Sequence, residues 1–236
     1  MKKLGFKSFI ISYFETDIWI SVKSDEYKKE MEEFAYERVK ALRGILENFI
    51  TTDTIFASTL VPYKVKDNAP EIAKTMAEVA EKAAVGPMAT VAGTFSHLIG
   101  EEIKSKFNIN EIILENGGDI YASSDTNIVI SIFAGDSPFS SKLKLQVDKS
   151  YLPVGICTSS GTVGHSLSFG KADAVTVICK NTALADAYAT SLCNKVKKED
   201  DILTVINSTE AIDEIIGVVI VYKDKIGIRG DISIIK

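Results

Sequence analysis

Cysteine is scarce in this chain. Three of its 236 residues are cysteines, Cys157, Cys179 and Cys193, and no two form a C-x-x-C pair. An odd count leaves at least one thiol unpaired in a monomer, so a reducing compartment is expected. Blocks of Lys and Arg are missing as well, and the net charge is −5. A nucleic-acid partner is therefore not expected, because phosphate contacts call for clustered cations. No apolar run is long enough to span a bilayer. The start, Met1-Lys2-Lys3, is basic, but Lys7 and Glu15 interrupt the apolar stretch behind it. That stretch is too short for a signal-peptide core, so a cytoplasmic protein with no membrane partner is expected. Low-complexity tracts and short-period repeats are also lacking.

What is present is ordinary globular material, 46% hydrophobic and 25% charged. The length suits a single domain over residues 1–236 with a sizeable core. Phe6–Phe14 and Asp17–Val22 read as strands around a Glu15-Thr16 turn, rich in Phe, Ile, Tyr and Trp. Asp25 to Ile50 carries apolar residues at helical spacing from Met31 to Phe49. Thr54 to Val65 reads as a strand ending near Pro62. Pro70 opens a helix through about Ala84, and Val85-Gly86-Pro87 breaks it. A helix from Met88 to about Phe107 begins with small residues, Ala89, Thr90, Ala92, Gly93 and Thr94. Such a stripe permits close approach of a ligand or simply of another helix. His97, inside that helix, reads as a satisfied or exposed histidine.

The period then changes. Strands are expected at Ile112–Leu114, Ile120–Ala122, Ile128–Ala134, Leu143–Val147, Pro153–Cys157 and Ala174–Cys179. A helix from Asn181 to about Val196 follows, capped by Asn181 or Thr182. A short helix at Ser208–Ile216 and a hairpin, Val218–Tyr222 with Lys225–Arg229, close the chain. The two halves share a rough order of strands and helices.

Three polar islands interrupt the apolar runs. The first is Glu115-Asn116-Gly117-Gly118-Asp119, a turn whose glycines accept positive φ and bring backbone amides close to a ligand or merely close a hairpin. The second runs from Thr158 through Ser159, Ser160, Gly161, Thr162, Val163, Gly164 and His165 to Ser166. It offers hydroxyls and backbone N–H groups that suit a phosphate or carboxylate. His165 could act there as donor or acid–base near neutral pH. The third is Ala185-Asp186-Ala187-Tyr188-Ala189-Thr190. Four residues apart on a helix, Asp186 and Thr190 share one face. A carboxylate and a hydroxyl are hard oxygens of the kind Mg²⁺ takes, although the bland reading is an acid near a helix start above a buried threonine. Cys157 abuts the second island and reads as a structural thiol. No G-x-S-x-G elbow occurs, so acyl hydrolysis is not expected.

These islands resemble the ApbE-like superfamily, most closely its short cytoplasmic branch found mainly in archaea and anaerobic bacteria. The matching pieces are V-G-P-M-A-T-V-A-G (Val85–Gly93), E-N-G-G-D-I-Y (Glu115–Tyr121), F-A-G-D-S-P (Phe133–Pro138), G-I-C-T-S-S-G-T-V-G-H-S-L-S-F-G-K-A-D-A-V (Gly155–Val175) and A-L-A-D-A-Y-A-T (Ala183–Thr190). ApbE transferases bind FAD, use Mg²⁺ and attach FMN to a threonine of an acceptor protein. The resemblance implies an α/β fold of α+β type, with two similar halves, packed mostly antiparallel sheets and outer helices. It implies that Gly117-Gly118-Asp119 is the family's glycine turn, that Thr158-Ser159 and Gly161 are its T-S-G segment, and that Asp186 and Thr190 are its magnesium ligands. The transferases carry H-x-x-D-P-x-x-G after the T-S-G, whereas here His165 is followed by Ser166-Leu167-Ser168-Phe169-Gly170. They also carry a lysine-containing glycine-rich segment where Ala92 stands.

Two functions are consistent with these features. One is a Mg²⁺-dependent enzyme acting on an anionic or phosphorylated small molecule, flavin nucleotide first, with Asp186 and His165 as catalytic residues and a protein acceptor. The other is a non-catalytic ligand-binding or accessory protein of anaerobic sulfur assimilation and homocysteine formation, favoured by the missing Asp-Pro. Self-association stays open for both.

Overall fold

A computed structural model of the chain describes residues 5–163 and 168–235. Its aromatic and β-branched start forms the expected hairpin, β1 (Phe6–Tyr13) and β2 (Thr16–Lys23), with Phe14 at positive φ in the connection. The first helix, α1 (Glu30–Thr52), starts five residues later than the pattern suggests. Its entrance is held elsewhere: the Glu26 carboxylate accepts the backbone N–H groups of Asn110 and Glu111, tying that stretch to the sheet.

Thr54 to Val65 is not a strand. Asp53 accepts the Phe56 N–H and caps a short helix, α2 (Thr54–Ser58), after which the chain runs extended outside any sheet. Phe56 is fully buried against the ring of Phe49. That burial overrides the strand propensity of the neighbouring Thr and Ile residues. Pro70 sits at the N-cap of α3 (Glu71–Ala83), and a 3₁₀ turn at Pro87–Thr90 leads into α4 (Val91–Phe107).

The following strands are β3 (Ile112–Asn116), β4 (Asp119–Ser123), β5 (Ile128–Ser131), β6 (Lys144–Val147), β7 (Val154–Ser159) and β8 (Ala174–Cys179). Helix α5 (Thr182–Lys195) is capped by Asn181, whose side chain accepts the Leu184 N–H. The helix placed at Ser208–Ile216 lies earlier, as α6 (Asp201–Ser208). Asp201 takes the N–H groups of Lys197 and Lys198 at its start, and Ile202, Val205 and Ile206 give it a buried stripe. The run from Ile215 then belongs to β9 (Ile215–Tyr222), which pairs with β10 (Lys225–Gly230). A last strand, β11 (Ser233–Ile235), was not expected from sequence.

The fold is mixed α/β with antiparallel sheets, as the resemblance implies. Eight strands form one sheet in the order β1-β2-β3-β4-β7-β8-β9-β10, and β11-β6-β5 form a smaller one. The two halves of the chain meet edge to edge where β4 pairs with β7. Two apolar clusters join the helices to one face of the large sheet, and two join the small sheet to the other face. No helix among the described residues is long and apolar enough to cross a membrane.

The β4–β7 seam positions everything that follows. Helix α5 lies so close to it that a Cβ on Gly155 would come 2.2 Å from the Thr182 Cα. Only glycine lets backbone meet backbone there.

Candidate functional site

Along the seam, Asp119 on β4 faces Cys157 on β7 as its register partner. Side chains alternate along a strand, so Asp119 shares its face with Tyr121, which lies in the helix-side core. Asp119 is therefore driven under the helices, where it is buried. Its carboxylate is met by the Cys157 thiol and the Thr158 N–H. Its backbone carbonyl accepts the hydroxyl of Ser96 on α4 at 2.9 Å.

Asp186 reaches the same place from the other side. It is one turn into α5 and buried, and its Oδ2 accepts the Gly93 N–H of α4 at 2.9 Å. The close approach needs glycine: a Cβ on Gly93 would sit 2.6 Å from the Asp186 Cβ and 2.7 Å from the Thr182 carbonyl. The Cys157 thiol donates to that same Thr182 carbonyl at 3.3 Å. Gly93, Asp119, Cys157, Thr182 and Asp186 thus close a ring around two buried carboxylates.

The electrostatics follow from the burial. Asp119 is pushed well above the usual carboxylate range, first by desolvation and then by the charge of Asp186; the Cys157 and Thr158 hydrogen bonds only partly oppose this. Asp186 is pushed up to about 7 by burial, against the pull of the Gly93 amide. No Lys, Arg or His among the described residues offsets either charge. Cys157 is itself pushed well up by burial and by the two carboxylates. It is a protonated packing thiol rather than a nucleophile.

The remaining predicted residues separate into rim and scaffold. Gly117 and Gly118 both take positive φ, 63° and 104°, as a tight hairpin turn demands. The Gly118 N–H is already taken by the Glu115 carboxylate at 2.7 Å. Asn116 donates to the Ala92 carbonyl at 3.2 Å, fastening the turn to the start of α4. Thr158 and Thr176 bond through their hydroxyls at 2.8 Å, on the strand face opposite Cys157. Ser159 is buried beside Cys193. Ser160 accepts the N–H groups of Thr162 and Val163, and Thr162 donates to Asp173. Gly161 lets the loop fold onto Gly170, whose carbonyl would lie 2.2 Å from an added Cβ. Thr190 is half-buried one turn beyond Asp186. His165, Gly164 and Ser166 lie outside the described residues. His97 packs between α4 and the α5 cap, 3.2 Å from the Asn181 amide.

The first and third islands therefore converge on one buried site, and the described part of the second reaches it only at Thr158. Sequence reasoning missed the amide of Gly93 as a partner of Asp186. The signal was the stripe of small residues, which permitted this contact without specifying it.

Comparison with known proteins agrees with the fold. A family model described as AbpE bacteria matches residues 2–216. A UPF0280 protein of Methanocaldococcus jannaschii is 41% identical over 223 residues, covering 92% of this chain and 88% of the relative. One from Methanopyrus kandleri is 35% identical over 222 residues, 92% of this chain and 87% of its own. Among solved structures, the apo flavinyl transferase ApbE of Pseudomonas stutzeri superposes with a TM-score of 0.58 at 15% identity, over 95% of this chain and 93% of that one. An ApbE protein of Thermotoga maritima gives 0.57 at 12%, over 96% and 97%. At such identities the likeness is one of fold.

Proposed function

The chain belongs to the AbpE bacteria family, within the ApbE-like superfamily, and on that premise we propose that it binds a phosphorylated small molecule together with Mg²⁺, flavin nucleotide being the first candidate. The observation that carries this reading is the buried pair Asp119 and Asp186, two carboxylates with no protein cation beside them. A buried charge is tolerated when it is paired or holds a metal. The donors are hard oxygens, and the one nearby sulfur is a thiol held protonated, so the residues suit Mg²⁺ better than a soft metal.

In this reading Asp186 holds the metal and Thr190, one turn on, adds its hydroxyl. Gly93 fixes the Asp186 carboxylate in one orientation through its N–H, leaving Oδ1 for the cation. Bound Mg²⁺ would neutralise charge that develops on a pyrophosphate during group transfer. The Thr158–Val163 segment follows β7 out of the seam and would face the anion. Three of its hydroxyls, those of Thr158, Ser160 and Thr162, are already spent on internal bonds. Recognition there would therefore rest on backbone N–H groups and on His165. FMN transfer of the superfamily's kind would also require an acceptor protein with a threonine.

The same spent hydroxyls favour a second reading, in which the protein binds its ligand without transferring any part of it, as an accessory protein would.

Calorimetric titration of the full chain with FAD, with and without Mg²⁺, tests the proposal. Micromolar binding that requires Mg²⁺, and that weakens by about 100-fold or more in Asp186→Ala, is the expected result. Binding unaffected by Mg²⁺ and by the substitution would remove Asp186 from the site. No heat under any condition would turn the search to other anionic metabolites.

A further inference from the structure

We propose that Asp119 is a second carboxylate ligand of the divalent-cation site, so that the site bridges β4 and α5 instead of resting on the Asp186 and Thr190 face of α5 alone. The inference rests on the Mg²⁺ reading above and assigns a ligand within it.

Four observations converge on this assignment. First, register and strand alternation send the Asp119 side chain beneath the helices, towards α5. Second, the segments around Asp119 and Asp186 are locked to one another through shared neighbours. Cys157, which meets Asp119, donates to the Thr182 carbonyl, and that carbonyl stands beside Gly93, the partner of Asp186. Third, Asp186 takes the Gly93 N–H on Oδ2 alone, and Asp119 lies beside its register partner Cys157, whose one proton goes to the Thr182 carbonyl. Fourth, both are buried, and neither has a protein cation among the described residues.

Two buried carboxylates brought to one junction by the β4–β7 register and by α5 call for a counter-charge. The protein supplies none here, and a bound divalent cation would satisfy both at once. A single structural acid would not need a second acid driven into the same buried junction. Mg²⁺ commonly takes one or two protein carboxylates and keeps waters or substrate oxygens for the rest. The pair meets that requirement and leaves the outward positions open to an anionic ligand.

The test uses Mg²⁺ and Mn²⁺ alone on the full chain, without nucleotide. Melting curves in EDTA and in Mg²⁺ are combined with electron paramagnetic resonance titration of Mn²⁺. Asp119→Asn keeps the side-chain size and removes the charge. It should lose the Mg²⁺-induced rise in melting temperature and bind Mn²⁺ more than about 100-fold more weakly. That loss exceeds the roughly 10–100-fold expected from removing a group that merely orients a ligand. Asp186→Asn should behave alike. Should Asp119→Asn fail to fold, Asp119→Ser gives the same readout. Wild-type Mn²⁺ affinity in the Asp119 variant, alongside loss in Asp186→Asn, would overturn this assignment and leave the cation reading standing. A loss of 100-fold or less would make Asp119 a positioning residue and overturn it too. A wild-type chain that binds no Mn²⁺ at millimolar concentration would sink both.

Discussion

Gly93→Ala should lower the melting temperature by about 5–10 °C and abolish the response to Mg²⁺. The added methyl would lie 2.6 Å from the Asp186 Cβ and 2.7 Å from the Thr182 carbonyl. Neither neighbour is the free end of a flexible chain. The Thr182 carbonyl belongs to the first turn of α5, which is itself pressed against Gly155. Helices α4 and α5 must therefore move apart. Overpacking of this kind costs about 2–3 kcal/mol. In a chain of this size that cost corresponds to the stated fall in melting temperature. The displacement also pulls the Gly93 N–H away from Asp186 Oδ2 and loosens the one bond that orients that carboxylate. A neutral or stabilising substitution would show that the helices are not in contact there. Helix propensity alone would favour alanine, so the sign of the effect decides.

Asp186→Asn should change the pH dependence of stability strongly. In the cation-free chain the Asp186 carboxyl titrates at about 7, against 3.8 unfolded. The folded state therefore holds its proton to higher pH than the unfolded state does. Stability from this group is complete below about pH 4 and is lost as pH rises through 7. Asp119 is shifted in the same direction and steepens the loss. Three pH decades correspond to up to about 4 kcal/mol, a ceiling for one group. Asparagine can still accept the Gly93 N–H and carries no charge. In EDTA the variant should thus equal wild type near pH 4 and exceed it by a few kcal/mol at pH 8. Saturating Mg²⁺ should close the gap by stabilising wild type alone. Parallel denaturation profiles for the two proteins from pH 4 to 8 would rule this account out.

Much of this could be read from the residues, and the failures have physical reasons. Long apolar patterns such as Ala174–Cys179 and the α4 stripe marked their elements because period and burial agree there. The stretch after Asp53 was misread because one capping carboxylate and one buried ring, Phe56, outweighed local strand propensity. The segment around Ser208 was misplaced because its apolar residues continue directly into β9, and period alone cannot divide such a run. In the site, the Asp186 and Thr190 spacing was visible, but spacing along one helix cannot show what faces it from a strand. The partnership of Asp119 with Asp186 comes from the β4–β7 register and from three close approaches, at Gly93, Gly155 and Cys157. None of these is local in sequence. Gly117 and Gly118 could be read as a ligand-contacting turn or as a plain hairpin, and the structure shows both at positive φ in the turn.

The most direct measurement of the central claim is an anomalous-difference map from crystals of the full chain grown with Mn²⁺ and FAD. A single strong peak within about 2.0–2.3 Å of carboxylate oxygens from both Asp119 and Asp186, with remaining positions filled by water or phosphate oxygen, is the predicted result. Ordered FAD with no metal peak at these carboxylates, or a metal peak bound elsewhere, would contradict it.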